Sequence, residues 1–221
     1  MIKEEITFDE QASNPTILWC GQDNDKTSLA GAVAFAIENN FEYVSVVPGA
    51  VGVVWPWTEK TKIKILSRFY VAENTDWSVF ARSVKDGFIR GADGAQIFIQ
   101  LKCLDDFVDT ISPVRDDLFF GKTLSVGLDI DDINALDWEH LFDCLIKLQA
   151  DSLTLVLTKD LGDKSDFVGR ITTMFDSWPD DYSGGLVLKL GDSEMRNEQV
   201  LRLGQSMRPN INIKVIQTYK N

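Results

Sequence analysis

The chain has 221 residues, 22 Lys and Arg against 34 Asp and Glu, and a formal net charge of −12. That balance argues against a nucleic-acid coat or an anionic membrane surface as partner, since both need clustered cations. With 44% apolar and 25% charged residues the composition is globular, and the chain is long enough to bury a core without staples. The acidic start, MIKEEITFDEQ, does not read as a signal peptide, and no apolar run is long enough to span a membrane. Cys20, Cys103 and Cys144 form no metal-type or CxxC spacing, so reduced thiols in a cytoplasmic protein are expected.

Eight apolar, β-branched runs read as strands: Ile17–Cys20, Tyr43–Val47, Lys62–Phe69, Gln96–Leu101, Leu124–Asp129, Leu153–Thr158, Leu186–Leu190 and Asn212–Gln217. Most are solid runs instead of alternations, as in strands covered on both faces. Helical periodicity lies between them. Ser28–Glu38 has a cap at Thr27 or Ser28, Trp77–Arg90 repeats the pattern, and Asp137–Leu148 has Asp137 as its cap. Phe167–Phe175 and Glu198–Met207 complete the helices. The segment PGAVGVVWPW, between the second and third strands, is too interrupted by Gly and Pro for a long helix. Strand starts recur at βα-unit intervals, so the pattern predicts a single-domain (β/α)8 TIM barrel over 1–221. An open doubly wound sheet is the alternative. The chain ends a few residues after the eighth strand, where the usual closing helix is expected to be missing.

In a (β/α)8 barrel the chemistry sits at the C-terminal strand ends. Polar residues assigned there include Arg68 on the third strand, Gln96 and Gln100 on the fourth, Asp129 on the fifth, Thr154 on the sixth, Lys189 on the seventh and Lys214 on the eighth. Lys189 follows a buried apolar run, where desolvation disfavours the charged form and frees a nucleophilic amine. The plainer account is that Leu186 and Leu188 face one way while Lys189 snorkels or pairs with an aspartate. Asp129 suits an acid/base role or the holding of a lysine, or else DIDDIN simply caps the next segment. Gly127 removes a side chain from the barrel interior, for a ligand or for a bulky neighbour. The only histidine, His140, reads as a helix-flank residue, so neither a Ser-His-Asp relay nor a multi-histidine metal site is expected. No P-loop, GxGxxG or HExxH motif is present, and Gly184-Gly185 precedes a strand as a turn would. Trp55 and Trp57, in VVWPWTEK, read as packing or a lid.

Three segments together resemble the deoxyribose-phosphate aldolase family and its class I relatives: AFAIENNFEYVSVVPGAV (34–51), FARSVKDGFIRGADGAQIFIQL (80–101) and LIKLQADSLTLVL (145–157). Order and spacing agree over about residues 15–191. The resemblance implies an aldolase barrel without a metal or other cofactor. It also implies that Thr154 stands at the family's Schiff-base lysine, Gln96 at its fourth-strand aspartate and Ser125 at its fifth-strand lysine. Lys189 matches the second, seventh-strand lysine, and Gly191-Asp192-Ser193-Glu194 replaces the family's Gly-Gly phosphate loop with an acidic one.

Two functions follow. One is a divergent aldolase-like lyase, in which Lys189 carries an imine to a small, unphosphorylated carbonyl substrate. Asp129 is then its acid/base, and Gln96, Gln100, Thr154 and Lys214 bind the substrate. The other is a catalytically degenerate barrel that binds a small molecule or a protein, with a second copy covering the apolar surface as a homodimer.

Overall fold

Residues 16–21, 25–157, 164–189 and 194–219 are described by a computed structural model of the chain. The apolar runs form eight parallel strands: β1 Ile17–Trp19, β2 Tyr43–Val46, β3 Lys64–Val71, β4 Gly94–Ile99, β5 Thr123–Asp129, β6 Ser152–Val156, β7 Gly185–Lys189 and β8 Ile213–Thr218. They pair in sequence order, and β1 pairs with β8 to close the barrel. The open-sheet alternative is thereby excluded, and the expected (β/α)8 class stands. Each strand falls within two residues of its expected start.

The outer ring comprises α1 Lys26–Glu38, α2 Val51–Thr58, α3 Trp77–Ile89, α4 Leu104–Ile111, α5 Arg115–Leu118, α6 Trp138–Lys147, α7 Lys164–Ser177 and α8 Glu194–Met207. The cap of α1 is Asp25, not Thr27 or Ser28; its carboxylate accepts from the Ser28 amide at 2.8 Å. Asp137 precedes α6, but its carboxylate turns back and accepts from the amide of Asn134. PGAVGVVWPW folds as a single 3-10 turn, Pro48–Ala50, followed by the two-turn helix α2. Helix α4 was not expected. Its Leu104, Phe107, Val108 and Ile111 are spaced at i, i+3, i+4 and i+7, and all are buried.

The strands bury alternate residues on two sides. Leu124, Val126 and Leu128 of β5, and their counterparts on β4, β6 and β7, pack outward against the helices. A second layer on the β1–β3 side joins Leu18, Val44, Val46 and Ile65 to α1 and α2. Ile17, Leu66, Val187 and Ile216 point inward and fill the middle of the bore.

One turn recurs before β2, β4 and β6. Asn40, Gly91 and Gln149 each adopt positive φ, and a buried residue follows each: Phe41, Ala92 and Ala150. Their amides bond back into the preceding helix, Phe41 to Ala36, Ala92 to Gly87 and Ala150 to Leu145, which closes the helix C-terminus. The third residue is acidic each time. Asp93 accepts from the Ile65 amide at 2.9 Å and Asp151 from the Leu124 amide at 2.7 Å, so each carboxylate holds the start of the preceding strand.

Candidate functional site

At the C-terminal end of the bore three aromatic rings stack. Phe98 of β4 lies between Trp19 of β1 (5.5 Å between centroids) and Tyr70 of β3 (5.4 Å). Gly127 of β5 makes room for this layer, because a Cβ there would lie 2.4 Å from Cδ1 of Phe98. Of the two uses expected for Gly127, accommodation of a bulky neighbour is the one observed.

Two cations rest on the same indole. The Lys189 ammonium and the Arg68 guanidinium each lie 4.4 Å from the centroid of Trp19. They are therefore at most twice that distance from one another. Arg68 is buried, donates to the Cys20 carbonyl at 2.8 Å, and is pulled down to about 10 by that burial. The neighbouring Cys20 thiol is pushed up to about 11, chiefly by desolvation, with Arg68 opposing. Sequence reasoning placed Arg68 at this end but gave it no part. The signal was an arginine inside the apolar strand KILSRFYV.

Two residues upstream of Phe98, Gln96 joins a chain of neutral polar groups across the bore. Ser45 Oγ donates to Gln96 Oε1 at 2.9 Å, and Gln96 Nε2 donates to Thr154 Oγ1 at 3.3 Å. Thr154 Oγ1 meets Ser125 Oγ at 2.7 Å, and Ser152 Oγ donates to Ser125 at 2.9 Å. Gln96 and Thr154 have no exposed surface. Buried polar atoms are costly unless paired, and here they pair with each other.

The structure thus divides the expected site residues. Lys189 and Asp129 close β7 and β5, on either side of β6, at the C-terminal end. Asp129 accepts from the Asp131 amide at 3.0 Å, so the capping account holds for one of its oxygens. Arg170 of α7 donates to the Ile130 carbonyl at 3.0 Å and steadies that turn. Gln100 is exposed just past the end of β4. Gln96 and Thr154 sit sealed in the bore with no exposed surface, whereas Lys189 is partly exposed. Lys214 belongs to the opposite end: its ammonium pairs with Glu42 at 2.5 Å and lies 4.7 Å from the Tyr43 ring, below the start of β2. Its assignment to the C-terminal face is corrected, because it lies two residues before Ile216, which is level with Ile17 and Tyr43. Of the acidic loop, Gly191, Asp192 and Ser193 lie outside the described residues, and Glu194 opens α8. A cavity of about 470 Å³ opens at that same N-terminal end, among Tyr43, Thr61, Lys62 and Lys64.

Trp55 and Trp57 are packing residues of α2. Trp55 covers Gly91, where a Cβ would come within 2.0 Å of the indole, and Trp57 lies against the α1–α2 core. No helix among the described residues is long and apolar enough to cross a membrane.

A closed barrel of eight parallel strands ringed by helices is a (β/α)8 TIM barrel. Comparison with solved structures agrees. The chain superposes on QR15, an aldolase, with a TM-score of 0.74 at 11% identity, covering 96% of this chain and 92% of that one. A provisionally assigned deoxyribose-phosphate aldolase from Coccidioides immitis gives 0.74 at 13% identity, covering 95% and 83%. The tetrameric deoxyribose phosphate aldolase from Aeropyrum pernix gives 0.70 at 14%, covering 93% and 86%. No family model and no curated protein matches the sequence. The chain therefore has the fold of the deoxyribose-phosphate aldolases.

Proposed function

We propose that the chain is a divergent aldolase-type lyase in which Lys189 forms an imine with a small, unphosphorylated aldehyde or ketone. The observation that carries this is the position of Lys189: an amine at the C-terminal end of β7, partly exposed, resting on Trp19 beside the buried Arg68. A second fixed cation beside a lysine is one of the arrangements that activate amine nucleophiles. The amine adds to the carbonyl carbon to give a carbinolamine. Protonation of its hydroxyl by the Asp129 carboxyl releases water and leaves the imine. In the cleavage direction the carboxylate takes the proton of the substrate's β-hydroxyl. The C–C bond then breaks, and its electron pair moves into the imine as an enamine. The aromatic layer forms the floor of the site and Gln100 its polar rim. The setting of this proposal is a cytoplasmic homodimer; a monomer in light scattering at micromolar concentration removes the dimer from it.

A second reading rests on the sealed chain Ser45–Gln96–Thr154–Ser125. The bore positions at which the resemblance expects proton-transfer groups hold neutral side chains satisfied by each other. A barrel of that kind binds without turnover.

One experiment separates the two. The protein is incubated with acetaldehyde, pyruvate or dihydroxyacetone, reduced with cyanoborohydride and weighed intact. The lyase reading expects one adduct, absent in Lys189→Met, whose melting temperature stays near that of the wild type. Scattered labelling without a preferred lysine, or an adduct that survives in Lys189→Met, overturns it in favour of the binding module.

A further inference from the structure

On the outer ring, α4 and α6 bring three side chains of metal-ligating type together. His140 and Cys144 are four residues apart on α6, so they share one face of the helix. Asp105, in the first turn of α4, faces them. Asp105 Oδ1 lies 2.8 Å from His140 Nε2 and 3.8 Å from Cys144 Sγ, and Sγ lies 3.8 Å from Nε2. The three ligand atoms lie within 4.8 Å of one another.

We propose that Asp105, His140 and Cys144 form a zinc site that clips α4 to α6. Zinc bonds of about 2.3 Å to sulfur and about 2.0–2.2 Å to nitrogen and oxygen give a tetrahedral face with edges of roughly 3.3–3.6 Å. The Asp105–His140 edge is about half an ångström shorter than that and the two edges to sulfur about a quarter of an ångström longer, within the reach of side-chain rotation. Thiolate, imidazole and carboxylate together suit zinc; calcium and magnesium prefer all-oxygen shells. Three protein ligands leave the fourth corner to water. Entry from solvent is open, because the side chains of His140 and Asp105 are 55% and 71% exposed while Cys144 forms the buried floor. Binding replaces the thiol proton with the metal, and the proton leaves to solvent.

The site lies outside the bore and does not depend on the lyase reading. His140 had been expected to be only a helix-flank residue, and its place on the flank is what lets it reach across to α4.

The test uses the full chain, stripped with a chelator, given zinc chloride and passed through a desalting column. About one zinc per chain is expected to remain, with a raised melting temperature that a chelator reverses. Cobalt chloride is expected to give the visible bands of a tetrahedral centre and a thiolate-to-cobalt charge-transfer band in the near ultraviolet. His140→Ala removes an exposed ring and leaves the fold in place. It is expected to weaken zinc binding about 100-fold or more, since the loss of even a supporting partner costs 10–100-fold. Cys144→Ser is expected to abolish the charge-transfer band. Less than about a tenth of an equivalent of zinc retained, or zinc and cobalt binding left unchanged by His140→Ala, overturns the site.

Discussion

Gly127→Ala is the sharpest perturbation of the barrel's upper layer. The new methyl would sit 2.4 Å from Cδ1 and 2.5 Å from Cε1 of Phe98, against an ordinary carbon–carbon contact of about 3.5–4.0 Å. The ring must therefore move by more than about 1 Å. It cannot move sideways without meeting Trp19 or Tyr70, whose centroids are 5.5 and 5.4 Å away. The remaining route is toward the mouth, which breaks both stacks. Overpacking of this kind costs about 1–3 kcal/mol. In a chain of this size each kcal/mol lowers the melting temperature by about 2–4 °C. Urea unfolding followed by tryptophan fluorescence reads both the loss and the change around Trp19. Phe98→Leu alone is expected to cost about 1 kcal/mol in lost ring contacts. Combined with Gly127→Ala it is expected to cost less than the sum of the two, because the shorter side chain leaves the methyl its space. A Gly127→Ala protein as stable as the wild type, or a double variant that is merely additive, would falsify the packing account of this glycine.

Three further outcomes follow from the same geometry. Thr154→Val keeps the shape but strands Gln96 Nε2 inside the bore and leaves the Ser125 hydroxyl with Ser152 alone, and is expected to lower the unfolding free energy by about 1–3 kcal/mol in urea titration. Asp151→Ala takes away the carboxylate that receives the Leu124 amide, with an expected loss of about 1–2 kcal/mol at neutral pH; Asp151→Asn, which keeps an acceptor oxygen, is expected to recover most of it. Burial raises the Cys20 thiol from 9.0 to about 11, so the unfolded chain ionises first as pH rises. That contribution is whole below pH 9 and disappears by about pH 11, roughly 2–3 kcal/mol over the window. Cys20→Ala should lose this segment of the alkaline slope, and a variant with the wild-type slope counts against the buried thiol.

The barrel was legible because strands covered on both faces have to be apolar throughout, and eight such runs at βα spacing leave few architectures. Helix boundaries were less legible. Asp25 was passed over as the cap of α1 because two hydroxyl residues follow it, and only the bond to the Ser28 amide distinguishes them. Helix α4 is the element the sequence reading lacks: no helix is assigned between the strands Gln96–Leu101 and Leu124–Asp129, although the apolar spacing of Leu104, Phe107, Val108 and Ile111 is present.

The segments that carried the family resemblance have a physical explanation in the turn before β2, β4 and β6. Residues 91–93 and 149–151 need a positive φ, then a small buried side chain, then a carboxylate that holds the neighbouring strand. These requirements belong to the barrel and apply whatever chemistry it performs. They explain how a sequence can resemble the aldolases around strands whose inward residues include threonine, glutamine and serine.

The same distinction governs what was legible of the site. Register follows from strand pattern, so Lys189 and Asp129 were placed at the correct end. Depth does not follow from it. Gln96, Thr154 and Lys214 all occupy inward positions, yet two are sealed by an aromatic layer and the third faces the opposite end of the barrel. That layer depends on Trp19, Phe98 and Gly127, residues from three strands far apart in sequence whose fit exists only once the barrel has closed. A lysine that ends its strand above such a layer is held at the surface of the bore and not within it. The proposed lyase therefore rests on Lys189 with Trp19 and Arg68 near it, and not on the neutral groups below.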